Sequence, residues 1–257
     1  MELSFTAIKS YMDCPYSYYL RYVKRIPIIE SSSSVYGLVL HKSIRIGHDN
    51  GYSRDEWAKI FKREWMVNTL AKDNIVFIDE GDYMKRLKDG QEIITKYYDK
   101  FVKNKPALLQ VELRFTKKDK VDIGKHYIVG AIDQIDADNR VIDLKTGAKV
   151  TQPHLDLDLQ FTIYSYAYRK LFNREESALV LRHLGSCTDL ITKRTEEDFK
   201  LLQSEIEKMD SAIKKGIFVR NLSRNCADCY FLEVCLGKER QQPFRIWKKK
   251  KSVDYSK

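Results

Sequence analysis

No stretch of this chain approaches the ~20 consecutive apolar residues that a membrane-spanning helix needs. The opening residues, Met1-Glu-Leu-Ser-Phe-Thr-Ala-Ile8, lack the basic region and apolar run of a secretory signal. No internal repeat is visible. Acidic residues are in deficit: 36 Asp and Glu stand against 46 Lys and Arg, a formal net charge of +10. Cysteines are few and odd in number, five in all. These absences predict a soluble, cytoplasmic protein with no membrane partner and no disulfide framework. In a reducing compartment, metal ligation explains a cysteine cluster better than disulfides do. The positive excess suits a polyanion, either nucleic acid or an anionic membrane surface.

What is present suffices for a globular core. Hydrophobic residues make up 43% and charged residues 32% of 257 positions, enough for one large domain or two small ones. Residues 4–24 read as a helix capped by Ser4 or Thr6, kinked or broken at Pro15. Its face of Ile8, Tyr11, Met12, Tyr18, Tyr19 and Tyr22 reads first as core. Stacking of these tyrosines on bases is the alternative. Ser31 to Ser34 read as a polar linker. Helices are expected over 36–47, 54–70 and 81–104, with Pro106 closing a helical half. Strands follow at 108–115, 126–135, 140–145, 178–184 and 190–192, and helices at 155–172 and 196–213. The pattern predicts a mixed α/β single domain spanning 1–257. It divides into a helical N-terminal part (1–105), a core (106–193), a helix with a cysteine cluster (194–237) and a basic tail (238–257). The tail contains Lys248 to Lys251.

The chain is organised around Gly130-Ala-Ile-Asp133-Gln-Ile-Asp136-Ala-Asp-Asn-Arg140-Val-Ile-Asp143-Leu-Lys145-Thr-Gly147. Asp138 and Asn139 are turn formers flanked by apolar runs, so two strands and a tight turn are expected. A turn centred near Asp138 sets Asp133 opposite Asp143. Residues two apart on a strand share a face, so Asp143 and Lys145 point the same way, while Ile142 and Leu144 face the core. Two carboxylates and an ammonium then converge. Carboxylates suit a hard divalent cation such as magnesium. A neighbouring lysine can hold a phosphate or help deprotonate water. An ordinary surface ion pair in a hairpin is the competing reading.

Further along, Gln160 and Tyr164 lie one helical turn apart on one face. Upstream, Gly37-x-x-x-His41 sits on an expected helix. In order, Gly37-x-x-x-His41, Asp133, Asp143-x-Lys145 and Gln160-x-x-x-Tyr164 resemble the RecB-like branch of the PD-(D/E)xK nuclease superfamily. The resemblance implies a central sheet of the restriction-endonuclease-like type, flanked by helices. It implies that His41, Asp133 and Asp143 ligate magnesium or manganese, with the Leu144 carbonyl as a further ligand. Lys145 would position the attacking water or the scissile phosphate, and Gln160 and Tyr164 would orient Lys145 and the DNA. Glu112 is either a plain strand residue or a supporting carboxylate.

Cys226-x-x-Cys229 and Cys235 supply three ligands in one turn-rich segment, where a structural site wants four. Cys14 is the natural fourth. Cys187 reads as a buried thiol, or as the fourth ligand should Cys14 not serve. Spacing alone favours zinc. One upstream cysteine and three near the C-terminus resemble the iron–sulfur subset of the same nuclease family. That subset includes the CRISPR-adaptation nuclease, AddAB-type helicase–nucleases and phage relatives. The resemblance turns the expectation to a structural 4Fe–4S cluster held by Cys14, Cys226, Cys229 and Cys235, closing a loop of over two hundred residues. With no helicase phosphate-binding motif, a stand-alone nuclease is expected, an exonuclease on single-stranded DNA or DNA ends. The alternative is a DNA-binding subunit of a recombination or CRISPR-adaptation complex, with little or no cleavage and cysteines that bind zinc.

Overall fold

The computed structural model describes residues 1–28, 30–70, 75–77 and 79–238. The basic tail around Lys248 to Lys251 lies outside them. In chain order the elements are β1 (Glu2–Ser4), α1 (Phe5–Asp13), α2 (Pro15–Tyr18), β2 (Glu30–Ser31), α3 (Ser32–Asn50), α4 (Arg54–Leu70), β3 (Ile75–Val76) and α5 (Glu80–Phe101). Then come β4 (Gln110–Phe115), β5 (Asp122–Ile123), β6 (His126–Ile135), β7 (Arg140–Lys145), α6 (Gln152–Asp156), α7 (Leu159–Phe172), β8 (Ala178–His183), β9 (Thr188–Thr192), α8 (Glu196–Lys214) and α9 (Leu232–Cys235). Among the described residues the chain divides into two compact units, residues 1–27 with 104–232, and residues 28–103 with those from 233 on. No helix among the described residues is long and apolar enough to cross a membrane.

The first unit is built on a mixed sheet of seven strands among the described residues, in the order β1-β6-β7-β8-β9, with β4 and β5 also paired to β6. β6 is long because its ten residues serve four partners. β1 runs parallel to it at 127–129, β5 antiparallel at 126–127, β4 antiparallel along 130–135, and β7 antiparallel at Gln134 and Ile135. β7 and β8 are parallel, as a connection through α6 and α7 allows, and β9 returns antiparallel. The helix α7 packs on β6 and β7 and meets α1 and α8. The core is apolar from all these elements: Leu3, Ile8, Phe115, Ile128, Ile132, Val141, Phe161, Tyr168, Leu181 and Ile206 are buried. A buried parallel strand reads as a continuous run, and in β7 the four residues Val141 to Leu144 are all buried.

The second unit is a helical group, α3, α4 and α5, with the short parallel pair β2–β3. Trp57, Phe61, Trp65, Ile94 and Tyr97 fill its centre. Gly90 of α5 lies against the Phe61 ring, leaving no room for a Cβ.

Several expectations need correcting. The segment 4–24 is a strand, a helix, then a second short helix continuing into a π-helical turn at Tyr19–Val23. Ser4 is the cap, accepting the Ala7 N–H at 3.2 Å. Cys14 is extended at φ −161°, ahead of the ring of Pro15, and that ends α1. The serines at 31–34 form no linker: Ser31 caps α3 by accepting the Ser34 N–H at 3.1 Å, and the helix begins at Ser32. The helix expected over 155–172 is two helices, because Asp158 accepts the Gln160 N–H at 2.7 Å and starts α7 afresh.

Candidate active site

The site grows from the hairpin of β6 and β7. Asn139 takes the left-handed conformation at φ 60° that such a turn demands. The Asp136 carboxylate ties the turn down, accepting the N–H groups of Asp138 at 3.1 Å and Arg140 at 2.9 Å. The register pairs Gln134 with Ile142 and Ile135 with Val141, and continuing it sets Asp133 beside Asp143. Past these pairs the Asp133 carboxylate accepts the Leu144 N–H at 2.8 Å. A side chain of β6 thus caps the backbone of β7 between Asp143 and Lys145.

On β7 the Lys145 ammonium lies 2.9 Å from Asp143 Oδ2. It also donates to Gln160 Oε1 at 2.6 Å. Gln160 Nε2 donates to Asp143 Oδ1 at 3.0 Å and to the Tyr164 oxygen at 2.8 Å. The amide therefore uses its acceptor and both donor hydrogens, which fixes its orientation. The structure brings Asp133, Asp143, Lys145, Gln160 and Tyr164 together, with the Leu144 N–H held by Asp133. Ile142 and Leu144 are buried as expected, and Asp143 is buried with them at 1% exposure. A carboxylate so deep must be paired, and Lys145 and Gln160 pair it.

The electrostatics follow from that burial. Desolvation works against the charged form of Lys145. The adjacent Asp143, by charge and by hydrogen bond, outweighs it with help from Asp158 and Asp133, so the ammonium pKa lies above its usual 10.5. The group stays charged at neutral pH and donates rather than accepts. Tyr164 is pushed well above 10, first by burial and then by the charges of Asp143 and Asp133, so its phenol stays neutral.

Asp158 escaped the sequence reading. It faces the same cluster electrostatically and, as the cap of α7, sets where Gln160 begins its turn. Its signal was a helix-capping Asp just before the apolar period, hidden because Leu155, Leu159 and Ile163 keep helical spacing across the break. His183 was also passed over. It pairs with Lys145 across β7 and β8 and bonds the Gly147 carbonyl at 2.8 Å, holding the segment that leaves β7. Glu112 falls next to Asp133 in the β4–β6 register, but it has φ 51° and its carboxylate pairs with the Arg114 guanidinium.

His41 lies half-buried on α3, in the second unit. Cys187 is buried, with its thiol donating to the Leu184 carbonyl at 3.4 Å. Cys14, Cys226, Cys229 and Cys235 are half-buried and joined in no disulfide among the described residues. Within the first unit, Asn221 Nδ2 donates to the Asp13 carbonyl at 2.8 Å and the Tyr16 N–H to the Val219 carbonyl at 3.2 Å. These bonds tie the chain around Cys14 to the segment that leads into Cys226. Among the described residues, no three His, Cys, Asp or Glu side chains stand together as a metal site. The pair Asp133 and Asp143 does fit a hard divalent cation, because magnesium is commonly bound through one or two carboxylates and keeps its other positions for water.

The comparisons agree with this geometry. No curated relative matches the chain. A sequence model of the PD-(D/E)XK nuclease superfamily matches residues 2–236. That span runs from β1 through the Asp143-x-Lys145 strand to α9, and the mixed sheet flanked by helices is the restriction-endonuclease-like arrangement of the family. With the match covering nearly the whole chain, the protein belongs to the PD-(D/E)XK nuclease superfamily.

Proposed function

We propose that this protein is a metal-dependent deoxyribonuclease of the RecB-like branch, an exonuclease acting on single strands or DNA ends. One observation carries the reading: a buried Asp143, a charged Lys145 and Gln160 are locked in one network beside Asp133. Asp133 and Asp143 would hold magnesium or manganese, with the Leu144 carbonyl and His41 as further ligands; His41 rests on its order in the sequence alone. The ion would supply Lewis-acid polarisation and an activated water.

The chain's own residues do the rest. Lys145 presents a permanent positive charge toward the attacking water or the scissile phosphate, where negative charge develops. Gln160 keeps the ammonium from folding back onto Asp143 alone. Tyr164, neutral and buried, keeps Gln160 from rotating. Cys14, Cys226, Cys229 and Cys235 are proposed to hold a structural 4Fe–4S cluster. That part rests on their spacing and on the bonds around Cys14, and no step of the hydrolysis needs it.

Digestion of single-stranded, linear duplex and circular DNA, with and without magnesium or manganese, tests the reading. Metal-dependent loss of single-stranded or linear DNA, with circles spared, is expected. Intact DNA under every condition would contradict it. The net positive charge of +10 also suits a second reading, a DNA-binding subunit of a recombination or CRISPR-adaptation complex with little or no cleavage. DNA binding without cleavage would select that one.

A further inference from the structure

Away from the Asp143 network, the first unit carries a ladder of rings and cations. The Arg220 guanidinium lies over the Tyr16 ring, 4.7 Å from its centre. Tyr16 stacks on Tyr19 with centroids 5.8 Å apart, and Tyr19 meets Phe218 at 4.9 Å. The Lys24 ammonium stands 5.6 Å from the Tyr19 ring, and Arg21 stands 5.3 Å from Tyr22. Tyr16, Tyr19, Tyr22 and Phe218 are only half-buried, whereas Tyr11 and Tyr18 of the same segment belong to the core. The stripe thus divides: Tyr11 and Tyr18 pack inward, Tyr22 and Phe218 lean on that core, and Tyr16 and Tyr19 stay half-exposed outside it.

The charge on this face is mainly positive, with Asp13 at its edge and Lys214 paired to Asp210 at 2.6 Å. Residues 15–27 and 214–226 contain seven Lys and Arg and no Asp or Glu. The two stretches are held side by side by the Tyr16 N–H to Val219 carbonyl bond and by the Tyr11 hydroxyl, which donates to the Ile217 carbonyl at 2.9 Å. Val219 and Leu222 leave most of their apolar surface in water here, at 64% and 74% exposure. A mainly cationic face calls for a polyanion, while half-exposed rings and exposed apolar side chains call for flat apolar groups. Unpaired nucleic acid has both. Its phosphates meet cations, and its exposed bases stack on aromatic rings or on an arginine plane. A duplex hides its base faces and offers only the phosphates.

We propose that this face binds single-stranded nucleic acid, with bases stacked on the Tyr16–Tyr19 ladder and its Arg220 cap and phosphates held by Arg21 and Lys24. The proposal deepens the nuclease reading, since it names a contact surface for the strand apart from the reacting groups.

The test is fluorescence anisotropy of a labelled oligothymidylate against the full chain in EDTA, where no cleavage occurs, over a salt series. Tyr16→Leu should weaken binding about tenfold, the scale of one lost base–ring stack. Tyr16→Phe keeps the ring and should bind as the parent does. Arg21→Gln with Lys24→Gln, both exposed, should lower the slope of log affinity against log salt by about 0.7 per charge removed. The Tyr16→Leu effect should be smaller for a duplex of the same length, whose base faces are hidden. The proposal is overturned if the charge variant keeps the parent slope, or if Tyr16→Phe weakens binding as much as Tyr16→Leu. It is also overturned if anionic phosphatidylserine vesicles, and not the oligonucleotide, show the variant dependence. The two readings fail separately. A parent that binds through these residues but never cuts with added metal keeps the surface and loses the nuclease; one that cuts while every variant binds normally does the reverse.

Discussion

At the scale of single residues, the site is a set of constraints on one amine. Lys145 has a raised pKa, so its positive charge, and any stability it contributes, is fully present below the usual 10.5 and is lost only as pH rises through the folded value above it. The cleavage rate should therefore show no ionisation attributable to Lys145 between pH 6 and about 9. A pH–rate profile of the parent against Lys145→Arg checks this, and an inflection in the parent that the arginine variant lacks would make Lys145 a base after all. Arginine keeps the charge but not the compact shape that fits between Asp143 and Gln160, so Lys145→Arg should cleave poorly throughout. Asp158 acts one step back. Asp158→Ala removes the acceptor of the Gln160 N–H and should cost about 1 kcal/mol of stability, the usual scale of a lost helix cap. Its rate constant should fall as well, because Gln160 loses the fixed start of its helix. Thermal unfolding and single-turnover kinetics of that variant read the two effects separately.

At the scale of elements, the sheet tolerates little change along β6. Gly130 faces Phe115 of β4, and an added Cβ would come within 2.8 Å of that ring. Gly130→Ala should destabilise the first unit by about 1–3 kcal/mol, as overpacking does, read as a lower urea midpoint with an unchanged slope. How far elements could be read from sequence depended on their length and punctuation. The hairpin was legible because Asp138 and Asn139 interrupt two apolar runs, and that turn alone sets Asp133 against Asp143. The three-residue β1 was not, since too few residues alternate and Phe5 continues directly into a helix. The break at Asp158 was masked by leucines that keep helical period on both sides. The serines before α3 looked like a linker because capping residues and linker residues are the same types. Gln160 and Tyr164 could be placed on one helix face from their spacing. That the amide bridges Asp143 and Lys145 required the packing of α7 on β7, which no local pattern encodes.

At the scale of the whole molecule, the net charge of +10 and the mainly cationic face predict that DNA affinity falls linearly in log–log form with salt. A titration between 50 and 300 mM salt measures the slope, and a slope near zero would mean that phosphates are not the main contact. The central claim is narrower: the Asp143–Lys145–Gln160 network is machinery for cutting a phosphodiester and not an ion pair that stiffens a hairpin. Single-turnover digestion of an end-labelled single-stranded oligonucleotide at saturating magnesium, parent against Lys145→Ala, decides it. The parent should cleave only with metal present. The variant should fold and bind the strand nearly as well, yet cleave about 10²-fold more slowly or worse, the scale of a lost charge-stabilising group. A Lys145→Ala protein that cleaves at the parent's rate would contradict the account.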